Sequence, residues 1–156
     1  MKIKMYYATI LGTSEMVCED IVEAMSGEYD FCVSDILDLR VDDLNKDAFY
    51  VFVSSTTGHG EMPDSAINFA KEIRERKPDL SGLNFAIFGL GDQGYADTFN
   101  MGSERLLELL IEHGASQIGE RGLFDASSAE MPEDIAIPWL RETLEIHQRD
   151  CVGGND

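Results

Sequence analysis

The sequence predicts an α/β protein: a doubly wound, five-stranded parallel sheet in the order 2-1-3-4-5, with helices on both faces. Three observations lead there. β-prone runs alternate with segments of helical period along the whole chain. Two of those runs, 48–54 (AFYVFVS) and 84–90 (NFAIFGL), are nearly continuous apolar, as strands buried on both faces must be. The loops with unusual residues follow the first, third and fourth strands, and this topology brings those loops to one edge, outside the carboxyl ends of the strands. Right-handed crossovers leave few other orders for such an alternation.

Each element has its own signal. Residues 2–8 (KIKMYYA) form the first strand, and Val17, Ile21, Ala24 and Met25 then recur at helical spacing until Gly27 stops the helix. Residues 29–36 form the second strand, and a polar stretch, 38–47, leads to the third. A helix over 64–77 is expected to turn Ile67, Ala70 and Ile73 inward. The helix after the fourth strand carries Leu106, Leu107, Leu110 and Ile111 and closes near Gly114. The fifth strand lies within 115–125, where Gly119 and Gly122 interrupt it. The last helix begins between Glu133 and Pro138 and holds Trp139, Leu140 and Leu144. One domain is expected over 1–147, with a disordered tail over 148–156.

Composition narrows the function. With 30 acidic and 12 basic side chains the formal net charge is −18. That field repels nucleic-acid phosphates and anionic membranes, so neither is an expected partner; it attracts basic protein surfaces. Cys18, Cys32 and Cys151 are scattered and odd in number, which argues against a disulfide framework and for a cytoplasmic setting. No apolar run has membrane-spanning length.

The first unusual loop, Thr9-Ile10-Leu11-Gly12-Thr13-Ser14, ends at a helix N-terminus. Free backbone N–H groups and the helix dipole make an anion site there without a lysine, and Thr9, Thr13 and Ser14 add hydroxyls. Ordinary helix capping is the competing reading of the same residues. The second loop is Ser54-Ser55-Thr56-Thr57-Gly58-His59-Gly60-Glu61-Met62-Pro63, and the third runs from Gly89 to Asn100 as GLGDQGYADTFN. Either could be a plain surface turn.

Together these residues resemble the flavodoxin family. The first loop is similar to its FMN-phosphate turn, with Leu11 where many members carry threonine, as in the short-chain, MioC-type flavodoxins. The second resembles the Ser-Thr-x-Gly-x-Gly-acid-x-Pro loop of MioC-type proteins and of diflavin reductase FMN domains. The third resembles the Phe-x-Leu-Gly-(Asp/Asn)-x-x-Tyr segment of those reductases. The similarity extends over residues 1–146, through Phe124-Asp125 and Met131-Pro132-Glu133-Asp134, and leaves no room for a long insertion in strand five.

The resemblance implies a flavodoxin-like fold and one bound FMN. Its cofactor residues would be Thr9, Ile10, Leu11, Gly12, Thr13 and Ser14 at the phosphate. Ser55, Thr56, Thr57, Gly58, His59, Gly60, Leu90, Gly91, Asp92, Tyr95, Phe99 and Asp125 would lie around the ring. Tyr95 would stack on the outer flavin face, a contact of about 1 kcal/mol beyond area burial. The Gly58–His59 peptide would rotate to offer its carbonyl to the N–H donor that reduction creates at flavin N5. Thr57 stands where many relatives carry an inner-face aromatic. Glu61, Asp64, Asp92, Asp97 and Asp125 would give the rim its negative charge.

The implied role is a monomeric electron carrier rather than an enzyme. Its donor would be a basic flavodoxin or ferredoxin NADP reductase, and its acceptor a redox enzyme the sequence does not name. Three alternatives share the fold: an FMN-dependent NAD(P)H quinone reductase, a phosphoacceptor receiver domain, and a flavodoxin-like protein that has lost FMN. A receiver needs an acidic pair after strand 1 and an aspartate ending strand 3, and this chain has Thr9-Ile10 and Ser54-Ser55 there.

Overall fold

The computed structural model describes residues 2–10, 12–56, 62–91 and 101–153. The elements run β1 (Lys2–Ala8), α1 (Thr13–Met25), β2 (Asp30–Asp35), two 3-10 turns (Ile36–Asp38 and Val41–Asp43), β3 (Phe49–Ser55), α2 (Asp64–Arg76), β4 (Asn84–Gly91), α3 (Met101–Glu112), β5 (Ser116–Gln117), β6 (Gly122–Asp125) and α4 (Pro132–Gly153). All pairings are parallel, in the order β2-β1-β3-β4-β5, with β6 also on β4. The fifth lane of the sheet is thus filled by two short strands with residues 118–121 between them. Gly119, at φ 70°, interrupts the lane between them.

Every residue of β3 is buried, and its alternation sorts the core. Tyr50 and Phe52 face α2 and α3, beside Phe69, Ile73, Phe85, Leu106 and Leu110. Phe49, Val51 and Val53 face α1 and α4, beside Val17, Ile21, Phe88, Leu140 and Leu144. Burying one such side chain contributes roughly 1.5–3 kcal/mol, so two filled faces set the layer order. Tyr50 keeps its phenol satisfied by accepting from Asn45 N–H and donating to Asp43 O.

Four details differ from the sequence reading. Ile67 and Ile111 are exposed; the inner stripe of α2 is Ala66, Phe69, Ala70 and Ile73, and that of α3 includes Leu106, Leu109 and Leu110. Ala24 likewise lies on the exposed side of α1. The stretch 38–47 is not wholly polar in role, since Leu39 and Val41 are buried against α2. The last helix starts at Pro132, passes through exposed Pro138 and continues to Gly153, past the expected domain end at 147. Ala136, Leu140, Thr143, Leu144 and His147 form its buried stripe, and Gln148 Nε2 donates to Tyr29 Oη at 3.3 Å. That burial carries the helix past the lost N–H of Pro138 and beyond the expected end.

Gly122 occupies the tightest contact of the α4 face. A Cβ there would lie 2.4 Å from Phe88 Cδ2 and 2.9 Å from Trp139 Nε1. Trp139 cannot withdraw freely, because its Nε1 donates to Glu120 O at 2.9 Å. Gly122→Ala should therefore destabilise the protein by about 1–3 kcal/mol in urea unfolding. Gly27→Ala, whose added carbon meets nothing within 4 Å, should stay near the parent value. Equal midpoints for the two variants would contradict this packing.

His147 packs on Phe49 with ring centroids 4.8 Å apart. Burial holds its pKa below the ordinary histidine value of 6.5, with Asp150 opposing. The unfolded chain therefore takes up this proton first as pH falls through 6.5, and the fold loses stability there. His147→Gln removes that loss. The parent's advantage over the variant should shrink between pH 7.5 and 5, approximate bounds around the unfolded histidine value. A pH-independent gap in chemical unfolding would refute the assignment.

Candidate functional site

Strand register sets the site. Ala8 pairs with Ser54, Ser54 with Gly89, Ser55 with Leu90, and Gly91 with Asp125. The carboxyl ends of four strands therefore lie in one row. Apolar side chains give way to hydroxyls and glycines along that row, so backbone groups become reachable where the core ends.

The turn after β1 presents backbone donors. Gly12 sits at φ 89° in the left-handed region and is the N-cap of α1, with no side-chain capping bond. A Cβ placed on it would meet nothing within 4 Å, so the turn opens onto free space. Gly12 N–H donates to Thr9 Oγ1 at 2.7 Å, which fixes the turn. Thr13 and Ile10 are exposed beside it. Ser14 points the other way: fully buried, its hydroxyl donates to Ala8 O at 3.1 Å and lies 2.7 Å from Ser55 Oγ. With that proton directed at Ala8, Ser55 is the donor of the second bond. Both hydroxyls are internal, so the Ser14 hydroxyl expected at a phosphate is a structural bridge and only its N–H can face a ligand.

On the β3 and β4 side, Thr56 Oγ1 accepts from Gly102 N–H at 3.0 Å. The Leu90 side chain is buried among the α1 and α4 residues, so only its backbone can reach the site. Asp125 ends β6 and holds its own turn, its Oδ1 accepting from Ser127 N–H at 2.9 Å and Ser127 Oγ at 2.7 Å. Ala126 N–H donates to Gly91 O at 2.7 Å and ties that turn to β4. Leu11, Thr57, Gly58, His59, Gly60, Glu61, Asp92, Tyr95, Asp97 and Phe99 lie outside the described residues.

Sequence reasoning missed Gly102, Ser103 and Arg121. Ser103 is fully buried and accepts from Arg121 Nη1 at 2.8 Å. A small-residue pair opening a helix was the available signal, but it did not reveal which strand end it would touch.

Fold and site together define a doubly wound α/β protein with an open, uncapped helix N-terminus at the carboxyl edge of its parallel sheet. The chain belongs to the flavodoxin family, whose family model matches residues 5–139. It is 33% identical to protein MioC of Escherichia coli K12 over 136 residues, covering 87% of this chain and 91% of that one. It is 29% identical to flavodoxin YqcA of the same organism, over 90% of this chain and 95% of that one. A solved structure, a cysteine-to-alanine mutant of flavodoxin from Pseudomonas aeruginosa, superposes with TM-score 0.81 at 32% identity, over 94% of this chain and 98% of that one. The chain is thus an FMN-binding electron-transfer flavodoxin. The described residues fit that cofactor: an uncapped helix N-terminus facing open space suits the phosphate, and the hydroxyl-and-glycine row suits close approach of a ring.

Ser14→Ala would remove the acceptor of the buried Ser55 hydroxyl and should lower stability of the FMN-free protein by about 1–3 kcal/mol. Adding Ser55→Ala removes the orphaned group, so the double variant should lose less than the sum of the two single changes. Strict additivity in urea unfolding would show that the two hydroxyls do not interact.

Proposed function

We propose that this flavodoxin is a non-enzymatic, cytoplasmic, monomeric carrier that takes electrons from a basic NADP-linked reductase and passes them to a second redox enzyme. The observation that carries this reading is charge placement. By topology α2 runs from the carboxyl edge of the sheet to the amino edge. Lys71, Arg74, Arg76 and Lys77 therefore lie toward the amino edge, where Lys2 and Lys46 also stand, interspersed with Asp30, Asp47, Glu72, Glu75 and Asp79. Glu15, Asp35, Asp38, Asp64, Asp125, Glu133 and Asp134 stand at or next to the carboxyl ends, with no lysine among them. Acidic groups at that edge attract a positive surface to it during encounter. Exposed Ile10 and Met16 supply apolar contact beside the phosphate turn. The buried Cys18 thiol, its pKa raised by burial, and the scatter of the other cysteines accord with a reducing compartment. Among the described residues no helix is long and apolar enough to cross a membrane.

We assign the phosphate to backbone N–H groups of Thr13 and Ser14 with the hydroxyls of Thr9 and Thr13, Gly12 shaping the turn, beside Ile10 and Leu11. The ring is assigned to the backbone of Ser55, Thr56, Thr57, Gly58, His59 and Gly60 on one side. On the other it meets Leu90, Gly91, Asp92, Tyr95 and Phe99, with Asp125 on the rim. FMN, when bound, supplies the one-electron chemistry. The chain positions it, excludes water and sets the charge around it.

Stepwise reduction of the FMN-loaded protein, followed in the visible region, should show two one-electron stages. Its reduction by a basic reductase should slow as salt rises, because exposed charges are screened over about 10 Å at 0.1 M ionic strength. Salt-independent transfer would overturn the steering. Steady NADPH oxidation with quinone and no reductase would make the protein an enzyme instead.

A further inference from the structure

Behind the carboxyl edge, buried and half-buried polar groups run across the sheet from turn to turn. Ala8 O, Ser14 Oγ and Ser55 Oγ join the first turn to the end of β3. Thr56 Oγ1 and Gly102 N–H join the end of β3 to the start of α3. Ser103 Oγ and Arg121 Nη1 join α3 to the segment between β5 and β6.

The Thr56–Gly102 link stands at the exit of β3, beside the Ser55–Leu90 pair. Gly102 is the second residue of α3, so its N–H is one of the first-turn donors that no intrahelical carbonyl can satisfy. Its acceptor comes from a different element, 46 positions earlier in the chain. The approach is close because Gly102 has no side chain. An added Cβ would stand 2.6 Å from Ser55 O, 2.9 Å from Thr56 Oγ1 and 3.1 Å from Thr56 Cα. Two of these are backbone atoms at the end of β3 and its exit, where the pairing of Ser55 with Leu90 resists displacement.

We infer that Thr56 and Gly102 form a latch that sets the distance between the exit of β3 and the start of α3 at the FMN ring site, with Gly102 a positioning residue for the cofactor's redox potential. The inference rests on the FMN reading above. Holding those two points 3.0 Å apart, N to O, fixes the backbone of Ser55 and Thr56, which that reading places against the ring. A ring bound against that backbone has its surroundings in each redox state set by where the backbone is held, and potential follows from the difference in binding between states. The phosphate turn stands outside the latch, joined to it only through Ser55. The latch should therefore act on ring binding and leave phosphate recognition alone.

The test uses Thr56→Val, which removes the acceptor at nearly constant shape, Thr56→Ser, which restores it, and Gly102→Ala, which forces the two backbones apart. For each full-length protein one measures dissociation constants for FMN and for riboflavin, the potentials of the bound FMN, and melting of the FMN-free form. Thr56→Val and Gly102→Ala should weaken FMN and riboflavin by a similar factor, roughly tenfold for one lost hydrogen bond. They should also move the potentials, while Thr56→Ser returns both quantities to the parent values. Parent-like potentials and affinities in Thr56→Val would overturn the latch, as would failure of Thr56→Ser to restore them. Loss of FMN affinity with riboflavin affinity intact would also overturn it, by placing the effect at the phosphate. Should Gly102→Ala not fold, the two Thr56 variants decide alone. A parent protein that takes up no FMN would instead sink the underlying assignment of the cofactor.

Discussion

The structure depends on one constraint: β3 is buried along its whole length and on both faces. A strand in that position must have its backbone groups paired on both sides and its side chains covered from above and below. β1 and β4 meet the first demand in parallel register, and four helices meet the second. Because the neighbours are parallel, all carboxyl ends fall on one edge. The switch of β3 from Phe52-Val53 to Ser54-Ser55 marks the line where core gives way to site. Site position is thus a consequence of packing, reached before any ligand is considered.

Sequence legibility followed the strength of local signals. The strands buried on both faces, the turn at Gly12 and the start of α1 could be read from residues alone, because apolar runs and turn chemistry are local properties. Finer side-chain placement could not. Ile67 fits an inner stripe nearly as well as Ala66, and only the position of Phe69 against Phe52 shows which rotation of α2 is taken. Ser14 looks like a phosphate hydroxyl in sequence. Its bond to Ser55, 41 positions away, is long-range information that no window contains. Gly102 was invisible for the same reason. The helix past residue 147 was missed because the polar composition of the tail hid the support given by Tyr29 and Phe49 to one side of it.

The surface ion pairs play a lesser part. Arg40 with Glu72, Arg76 with Asp42 and Arg141 with Glu28 pair at 2.6–2.8 Å, the Glu72 carboxylate partly shielded and the other five groups exposed, and solvent-screened pairs contribute little to stability. Their place is more informative than their strength. Arg40 and Arg76 clamp the 3-10 turns after β2 onto α2, where the Val41 N–H also donates to Glu72. This covers the outer end of the α2 face and keeps Leu39 and Val41 inside. Three of the scarce cations thus serve local pairing, which leaves the acidic majority to define the long-range field.

That field bears on the cofactor as well as on partners. A net charge of −18 favours positive partner surfaces and at the same time opposes entry of the dianionic phosphate of FMN. The phosphate turn contains no lysine or arginine to offset that opposition. Its attraction comes from N–H dipoles and hydroxyls, which act strongly only at hydrogen-bond distance and good angle. An anion site built from dipoles therefore requires a rigid frame, whereas a site built on a flexible lysine would tolerate some slack. Here the frame is visible: Thr9 pins Gly12, and Ser14 anchors the start of α1 to both β1 and β3. An acidic electron carrier that spends its charge on partners must hold its cofactor by geometry, and the buried hydroxyls beneath the site are how this sequence does so.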